Sequence, residues 1–198
     1  MSCAETLRAE GADGSIVVVG READPPYERP PLSKEYLSGR AGREDASLKP
    51  ADWWESNGVE LLVRTSVMKL DPDARVAKLP GGDELRFERA LLATGANVRR
   101  LRVDGTDADG IHYLRAFGYA DAIRADAADA GRVVLIGGSW IGCEVAATLS
   151  ALGTQCSIVM MESVCCENHL GAEVGSFVQR LVQEHGVEVH GGEEVERL

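Results

Sequence analysis

The sequence lacks long apolar runs, an excess of basic residues and a secretory leader. No segment of its 198 residues approaches the ~20 consecutive apolar residues of a membrane-spanning helix, so we expect no membrane contact. Lys and Arg number 21 against 32 Asp and Glu, a net charge of -11 that argues against binding to nucleic-acid phosphates. The N-terminus has no basic stretch followed by an apolar core, so no signal peptide is predicted. These absences predict a soluble, acidic, cytoplasmic protein.

The cysteines show no metal-binding pattern. There are five, and they form neither a C-x-x-C motif nor a zinc-ligand spacing. An odd number of cysteines suits a reducing compartment. Cys165 and Cys166 are adjacent, which leaves two interpretations: a vicinal thiol site or ordinary loop residues. The second is favoured, because adjacent cysteines seldom bridge without strain.

The apolar residues that are present indicate a packed protein of one or two domains. The hydrophobic fraction is 44%, which is ample for a core. Apolar patterning and turn residues predict several elements in the first 130 residues. These are a helix over 3–10, a strand over 16–19, an extended proline-rich loop over 25–37 with Ser33 capping a short helix, a helix over 51–56, a strand over 59–63, a hairpin from residue 75 that turns at 81–83, a strand from Phe87 to Leu92 that leads into 93–95, and a helix over 117–130.

Residues 133–190 read as a doubly wound α/β unit. Val133–Ile136 is a continuous apolar run, as expected of a parallel strand that is covered on both faces. The pattern then predicts a glycine turn over 137–142, a helix with apolar residues at helical spacing from Ile141 to Leu152, a strand over 156–161, an amphipathic helix over 172–185 that ends at Gly186, and a strand over 187–190.

The glycine turn has the order of elements that dinucleotide binding requires. Gly137 permits the sharp turn, and Gly142 lets helix and strand pack closely, so a pyrophosphate can lie over the helix N-terminus. Glu162 ends the next strand, where an acid accepts the ribose hydroxyls and favours NADH over NADPH. A plain α/β turn without a ligand remains the alternative. The predicted contact residues of this turn are Gly137, Gly138, Ser139, Ile141 and Gly142.

Ser139 and the proline-rich run are two further features of the sequence that bear on ligand binding. Ser139 stands where the middle glycine of the motif is expected, so its side chain is predicted to crowd the pyrophosphate. The run PPYERPPLSKEYL, from Pro25 to Leu37, is by composition a rigid linker. It also presents Arg29 and Lys34 on a stiff backbone, which suits them to bind anionic or electron-rich groups.

Four segments together resemble a known family. They are Gly20 to Leu37, Leu91 to Gly95, Ile111 to Arg115 and Val133 to Leu152. In order and spacing they are similar to the FAD-dependent pyridine nucleotide-disulfide oxidoreductases, in the branch of rubredoxin, putidaredoxin and other ferredoxin reductases. The resemblance implies that NADH reduces FAD, which passes single electrons to a ferredoxin- or rubredoxin-like carrier. No cysteine stands where the disulfide reductases of this fold have their pair, which argues against a dithiol mechanism.

The resemblance also implies roles for individual residues. Lys34 and Glu144 would be the catalytic residues, forming an ion pair beside the flavin N5 edge that joins two domains; for Glu144 a solvated acid on a helix face is the alternative. Arg21 stands where the family usually has the acid for the FAD ribose, and Glu22 follows one position later. The remaining FAD contacts would come from Arg29, Val67, Ala93, Thr94, Gly95 and Arg115.

Members of the family are much longer, so the resemblance implies a chain truncated at both ends. Two Rossmann-like, doubly wound domains are expected, both incomplete: an FAD-type domain over 1–116 that lacks its first strand and glycine loop, and an NAD(P)-type domain over 117–198. Three functions stay open: a flavoprotein reductase, a dinucleotide-binding module without turnover, and a remnant without a ligand. Without the FAD glycine loop, weak FAD binding is predicted.

Overall fold

The computed structural model describes residues 1–198, and contacts within the chain divide it into two compact units. Unit 1 consists of Met1–Glu28 and Glu44–Ala96, and unit 2 of Arg29–Arg43 and Asn97–Leu198. Each unit combines helices with strands, which confirms the predicted α/β class. The assignment of FAD-type and NAD-type domains to 1–116 and 117–198 stays a prediction.

Unit 1 contains two helices and two small sheets. Its core forms where Ala4, Trp54 and Val59 are buried together, with partly buried neighbours around them. The helices are α1 (Ser2–Ala9) and α2 (Trp53–Ser56); β1 (Ile16–Val19) and β2 (Val59–Leu62) pair in parallel, and β3 (Lys69–Asp71), β4 (Val76–Lys78) and β5 (Glu84–Arg86) form an antiparallel meander.

One arginine holds α1 to the rest of unit 1. The Arg8 guanidinium donates to the carbonyls of Asn57 and Gly58 at 2.7 and 2.8 Å. It also donates to the carbonyls of Ala12 and Gly14 at 2.7 and 2.8 Å. A planar group with five N–H donors can serve several carbonyls at once, whereas a lysine ammonium cannot reproduce this geometry.

Of the predicted hairpin and the strand predicted after it, only the hairpin is present in the structure. The hairpin is confirmed as β4 and β5, and β3 adds a strand that the sequence did not predict. The strand predicted from Phe87 to Leu92 is wrong, because residues 87–94 have no regular secondary structure. Leu91 and Leu92 are 69% and 70% exposed. No strand of the chain pairs with this segment, and an extended segment becomes a sheet strand only when a neighbour accepts its hydrogen bonds.

Unit 2 is built on a three-stranded parallel sheet in the order β6-β7-β8. This arrangement confirms the predicted alternation of strands and helices, and Gly186, with φ +85°, follows the last helix as expected. The strands are β6 (Arg132–Ile136), β7 (Gln155–Met160) and β8 (Glu188–Gly191), and the helices are α3 (Phe117–Asp129), α4 (Trp140–Ala151) and α5 (Glu167–Glu184).

One prediction about burial in unit 2 is wrong. Alternate residues of β6 are exposed, with Val134 at 56%, because no element of the chain covers that side of the strand. The predicted amphipathic helix over 172–185 is present as the part of α5 that follows Gly171, where φ is +76° and the helix is interrupted. A short helical segment over 167–170, which the sequence did not predict, precedes that break. The apolar stripe of the amphipathic helix is exposed at Val174 and Phe177. No helix in the chain has the combination of length and apolarity that a membrane span needs.

The proline-rich run is more ordered than the extended loop predicted for it. Pro30–Ser33 forms a 3-10 helix, because proline fixes φ at about -65°, which suits this conformation. The prediction that Ser33 caps a helix is therefore wrong: it ends the 3-10 turn. Leu32 and Leu37 are 3% and 0% exposed, so the run is anchored by burial.

Candidate functional site

The glycine turn joins β6 to α4 and has little room for side chains. Gly137 has φ +100°, a backbone conformation that favours glycine. A Cβ on Gly142 would overlap the Gly137 carbonyl oxygen, and one on Gly138 would overlap the Met160 sulfur. These close approaches bring the start of α4 against the strand, where the N–H groups of its first turn have no partner within the helix.

The other two predicted residues of this turn lie at the surface. Ser139 is the exposed N-cap residue of α4, and its side chain makes no capping hydrogen bond. Ile141 is 57% exposed on the first turn of the helix. The predicted crowding of a pyrophosphate by Ser139 stays a prediction.

Glu162 lies near the glycine turn in the sheet order. It follows β7, which pairs directly with β6, so both loops stand at the carboxyl edge of the sheet. The Glu162 carboxylate accepts a hydrogen bond from the Asn168 side-chain amide at 2.6 Å, and its carbonyl accepts the Gly192 N–H at 2.9 Å. The acid is therefore fixed at the position where a ribose hydroxyl is expected.

Lys34 and Glu144 form a second cluster within unit 2. The Lys34 Nζ atom lies 2.8 Å from Glu144 Oε2, which confirms the ion pair that the resemblance implies. The buried Ser33 hydroxyl lies 2.5 Å from the same oxygen. The Thr148 hydroxyl, on α4, donates to the Ser33 carbonyl at 2.7 Å. Glu144 Oε2 thus has one cationic and one hydroxyl partner, and an open cavity of about 490 Å³ borders the pair.

Arg29 and Arg115 also meet in unit 2. The Arg29 guanidinium donates to the Arg115 carbonyl at 2.9 Å. This contact connects the proline-rich segment with the chain just before α3. It involves the backbone of Arg115, so the binding of a diphosphate by the two guanidinium groups stays a prediction.

The predicted FAD residues in unit 1 fall into two groups. Arg21 and Glu22 follow β1, and Val67 follows β2, so all three lie toward the carboxyl ends of parallel strands. The Glu22 carboxylate accepts the Tyr27 hydroxyl at 2.7 Å. Ala93, Thr94 and Gly95 are exposed in the irregular segment, with Gly95 at φ +64°.

Sequence reasoning missed the network that fixes the proline-rich segment to α3. The Tyr36 hydroxyl donates to Asp121 Oδ1 at 2.6 Å, and Arg43 lies 2.8 Å from the other oxygen of that carboxylate. Burial and the hydrogen bond to Asp121 raise the pKa of Tyr36. Burial raises the pKa of Asp121, but hydrogen bonds from Tyr36 and Arg43 outweigh it, so the pKa is lowered overall. No local pattern signals this network, because its members lie far apart in sequence.

Unit 2 thus has the fold and turn of a dinucleotide-binding α/β protein. The whole chain, residues 1–198, also matches the family model of pyridine nucleotide-disulphide oxidoreductases. The chain therefore belongs to the pyridine nucleotide-disulphide oxidoreductase family.

Three similar proteins define the relationship further. Rhodocoxin reductase of Rhodococcus erythropolis is 34% identical over 184 residues, which are 93% of this chain and 43% of that protein. The ferredoxin reductase of the CYP199A2 system from Rhodopseudomonas palustris superposes with TM-score 0.94 and 28% identity, over 98% of this chain and 48% of that one. Putidaredoxin reductase in its covalent complex with putidaredoxin superposes with TM-score 0.92 and 34% identity, over 97% of this chain and 47% of that one. The chain thus spans slightly less than half the length of these relatives.

Proposed function

We propose that the chain acts in an NADH-dependent flavoprotein reductase that passes electrons from FAD to a ferredoxin- or rubredoxin-like carrier. The observation that carries the proposal is the Lys34–Glu144 ion pair, at 2.8 Å, in the same unit as the glycine turn. The relatives support it by their names, since one is a rhodocoxin reductase and another is bound to putidaredoxin.

The chemistry of the residues fits FAD. Glu22 offers a carboxylate after β1 for ribose hydroxyls, the guanidinium groups of Arg29 and Arg115 would bind the diphosphate, and Lys34 offers a cation for the electron-accepting edge of the flavin. Arg21, Val67 and residues 93–95 complete the proposed contact set. When bound, FAD links the two-electron oxidation of a nicotinamide to one-electron transfer.

Each residue of the ion pair has a definite task in this proposal. The Lys34 ammonium stabilises negative charge that develops on a bound electron acceptor. Glu144 holds the ammonium in place, and the Ser33 hydroxyl donates to the same carboxylate oxygen of Glu144. Because the Lys34 side chain is 37% exposed, we expect the ion pair to orient the cation rather than to stabilise the fold strongly.

The glycine turn and Glu162 support NADH as the electron donor. Gly137, Gly138, Ser139, Ile141 and Gly142 would surround the pyrophosphate at the start of α4, and Glu162 would accept the ribose hydroxyls. A carboxylate at this position repels a 2′-phosphate, so NADPH is disfavoured. The five free thiols and the acidic charge favour a cytoplasmic location.

The second function considered from the sequence, a dinucleotide-binding module without turnover, is less favoured because the relatives are named as reductases. Domains of FAD type over 1–116 and of NAD(P) type over 117–198 remain part of the proposal.

The proposal is tested by mixing the chain with excess FAD and NADH without oxygen and following the flavin absorbance. We expect flavin reduction, followed by electron transfer to an added ferredoxin or rubredoxin. The substitution Lys34→Met should slow flavin reduction about tenfold or more, because one preorganised charge is removed.

Lys78→Met is the matched control, since Lys78 also pairs with a glutamate, Glu84, at 3.3 Å in unit 1. It should leave the rate of flavin reduction unchanged. NADH binding without flavin reduction at saturating FAD would overturn the reductase and favour the binding module.

A further inference from the structure

The short helical segment that precedes the break at Gly171 is fixed to the loop after β7, and we call residues 167–170 the lead segment. The Glu167 carboxylate accepts the backbone N–H groups of Ser163 and Val164 at 2.8 and 3.3 Å. Donors and acceptor are only four and three positions apart, so these bonds close a compact loop. The lead segment therefore has a defined position relative to the end of β7.

The lead segment is also fixed relative to the glycine turn. The His169 ring meets the Trp140 ring in an edge contact, with ring centroids 6.3 Å apart, and Trp140 is the first residue of α4 after Ser139. Just before the lead segment, the backbone N–H of Cys166 donates to the Gly138 carbonyl at 2.8 Å. A side chain on the lead segment thus lies at a set place beside the proposed dinucleotide site.

Asn168, in the middle of the lead segment, holds the acid that follows β7. Its side-chain amide donates to Glu162 Oε1 at 2.6 Å, and this is the only hydrogen bond that the chain makes to the Glu162 carboxylate. The second oxygen of Glu162 is therefore left for a ligand, and the exposure of Asn168 lets a ligand reach the pair. Because an amide is neutral, the hydrogen bond restrains the carboxylate without cancelling its negative charge.

We propose that Asn168 is a positioning residue that makes the chain select NADH over NADPH through Glu162. The inference rests on the proposed function, in which Glu162 accepts the ribose hydroxyls. A carboxylate that is already restrained loses little side-chain freedom when it accepts these hydroxyls, so NADH binds more tightly. The same restraint keeps a full negative charge at the place that a 2′-phosphate would occupy, so NADPH is repelled.

Removing the amide should change the two affinities differently. In Asn168→Ala the Glu162 carboxylate must be immobilised when NADH binds, and NADH should bind about fivefold more weakly. The affinity for NADPH should not fall, because an unrestrained carboxylate can turn away from the phosphate. The selectivity for NADH should therefore decrease about fivefold. A purely structural role of Asn168 would lower both affinities equally.

Placing a cation at the same position should reverse the preference. In Asn168→Arg the guanidinium would neutralise Glu162 and donate to a 2′-phosphate, so NADPH should bind about tenfold more tightly than to the unsubstituted chain. Gln183→Ala is the matched control, since Gln183 is an exposed amide near the other end of α5. It should leave both affinities unchanged.

Titrations followed by nicotinamide fluorescence measure the affinity of each chain for NADH and NADPH. Equal losses for the two dinucleotides in Asn168→Ala, or an unchanged affinity for NADH, would overturn the role of Asn168 in selectivity. An Asn168→Arg chain that binds NADPH no better than the unsubstituted chain would overturn it as well.

A measurement without a ligand separates this inference from the proposed function. In nitrogen-15 NMR spectra of the free chain, the side-chain amide signal of Asn168 should shift in Glu162→Ala and stay in place in Glu173→Ala, an exposed acid on the same helix. An unchanged signal in Glu162→Ala overturns the positioning. If the unsubstituted chain binds neither dinucleotide, the proposed NADH site fails and the selectivity fails with it, while the NMR comparison still decides whether Asn168 holds Glu162.

Discussion

Two segments that the resemblance assigns to the flavin differ sharply in how they are held. Arg29–Arg43 has little regular structure beyond a 3-10 turn, yet Leu32, Tyr36 and Leu37 are buried. Residues 87–96 have a more strand-like sequence but no secondary structure, and Leu91 and Leu92 are exposed. Buried side chains, rather than strand propensity, therefore determine which of the two segments is held in place. A strand needs a partner, whereas a turn can be held by burial and side-chain hydrogen bonds.

Removing apolar volume from each segment should give the largest difference between them. Leu37→Ala should lower the free energy of unfolding by about 2–4 kcal/mol, because it leaves a cavity at a side chain that is 0% exposed. Leu92→Ala, at 70% exposure, should change it by less than about 0.5 kcal/mol. Urea unfolding monitored by circular dichroism measures both. Equal effects would show that burial does not distinguish the segments.

Removing one hydroxyl should have a smaller effect. Tyr36→Phe deletes the donor to Asp121 and keeps the ring, which lies 4.6 Å from the Phe117 ring centroid. We expect a loss of about 1 kcal/mol in the free energy of unfolding. Tyr119→Phe serves as control, since Tyr119 is 44% exposed. If the Tyr36→Phe chain is as stable as the unsubstituted one, this hydrogen bond does not stabilise the segment.

The smallest expected effect on stability is the pH-dependent contribution of Asp121. The pKa of Asp121 is lowered below 3.8 in the folded chain, so its contribution is present above about pH 3.8 and is lost as the pH falls through the folded pKa. Because its side chain is 35% exposed, we expect less than about 1 kcal/mol. The stability difference between the unsubstituted chain and Asp121→Asn should therefore shrink in acid.

Urea titrations at several pH values measure this difference. Asp73→Asn, an exposed acid in unit 1, is the matched control and should change stability by less than about 0.5 kcal/mol. A difference for Asp121→Asn that stays constant into acid would contradict the assigned role.

Most of unit 2 could be predicted from the sequence. The apolar runs and the helical spacing correctly indicated β6, α4, β7 and β8, because each of these patterns has one dominant structural solution. The short helical segment over 167–170 was missed, since so few residues cannot show a helical period. The exposed side of β6 was missed because an apolar run does not reveal whether both of its faces are covered.

The candidate site was predictable only in part. The glycine turn followed from residues and spacing, whereas the Lys34–Glu144 pair came from the family resemblance. Ser33 was assigned to a helix cap, because its contact with Glu144, 111 positions away, has no local signature. The network of Tyr36, Arg43 and Asp121 was missed for the same reason.

The four carbonyls that Arg8 binds lie at very different separations from it along the sequence, which affects the order in which these contacts form during folding. Two of them lie 49 and 50 positions away, so the loop between must close before these hydrogen bonds form. The contacts to Ala12 and Gly14 span only a few residues and can form early. The turn after α1 is therefore expected to form first, with Arg8 already oriented, and to receive the chain around Asn57 and Gly58 in a later step.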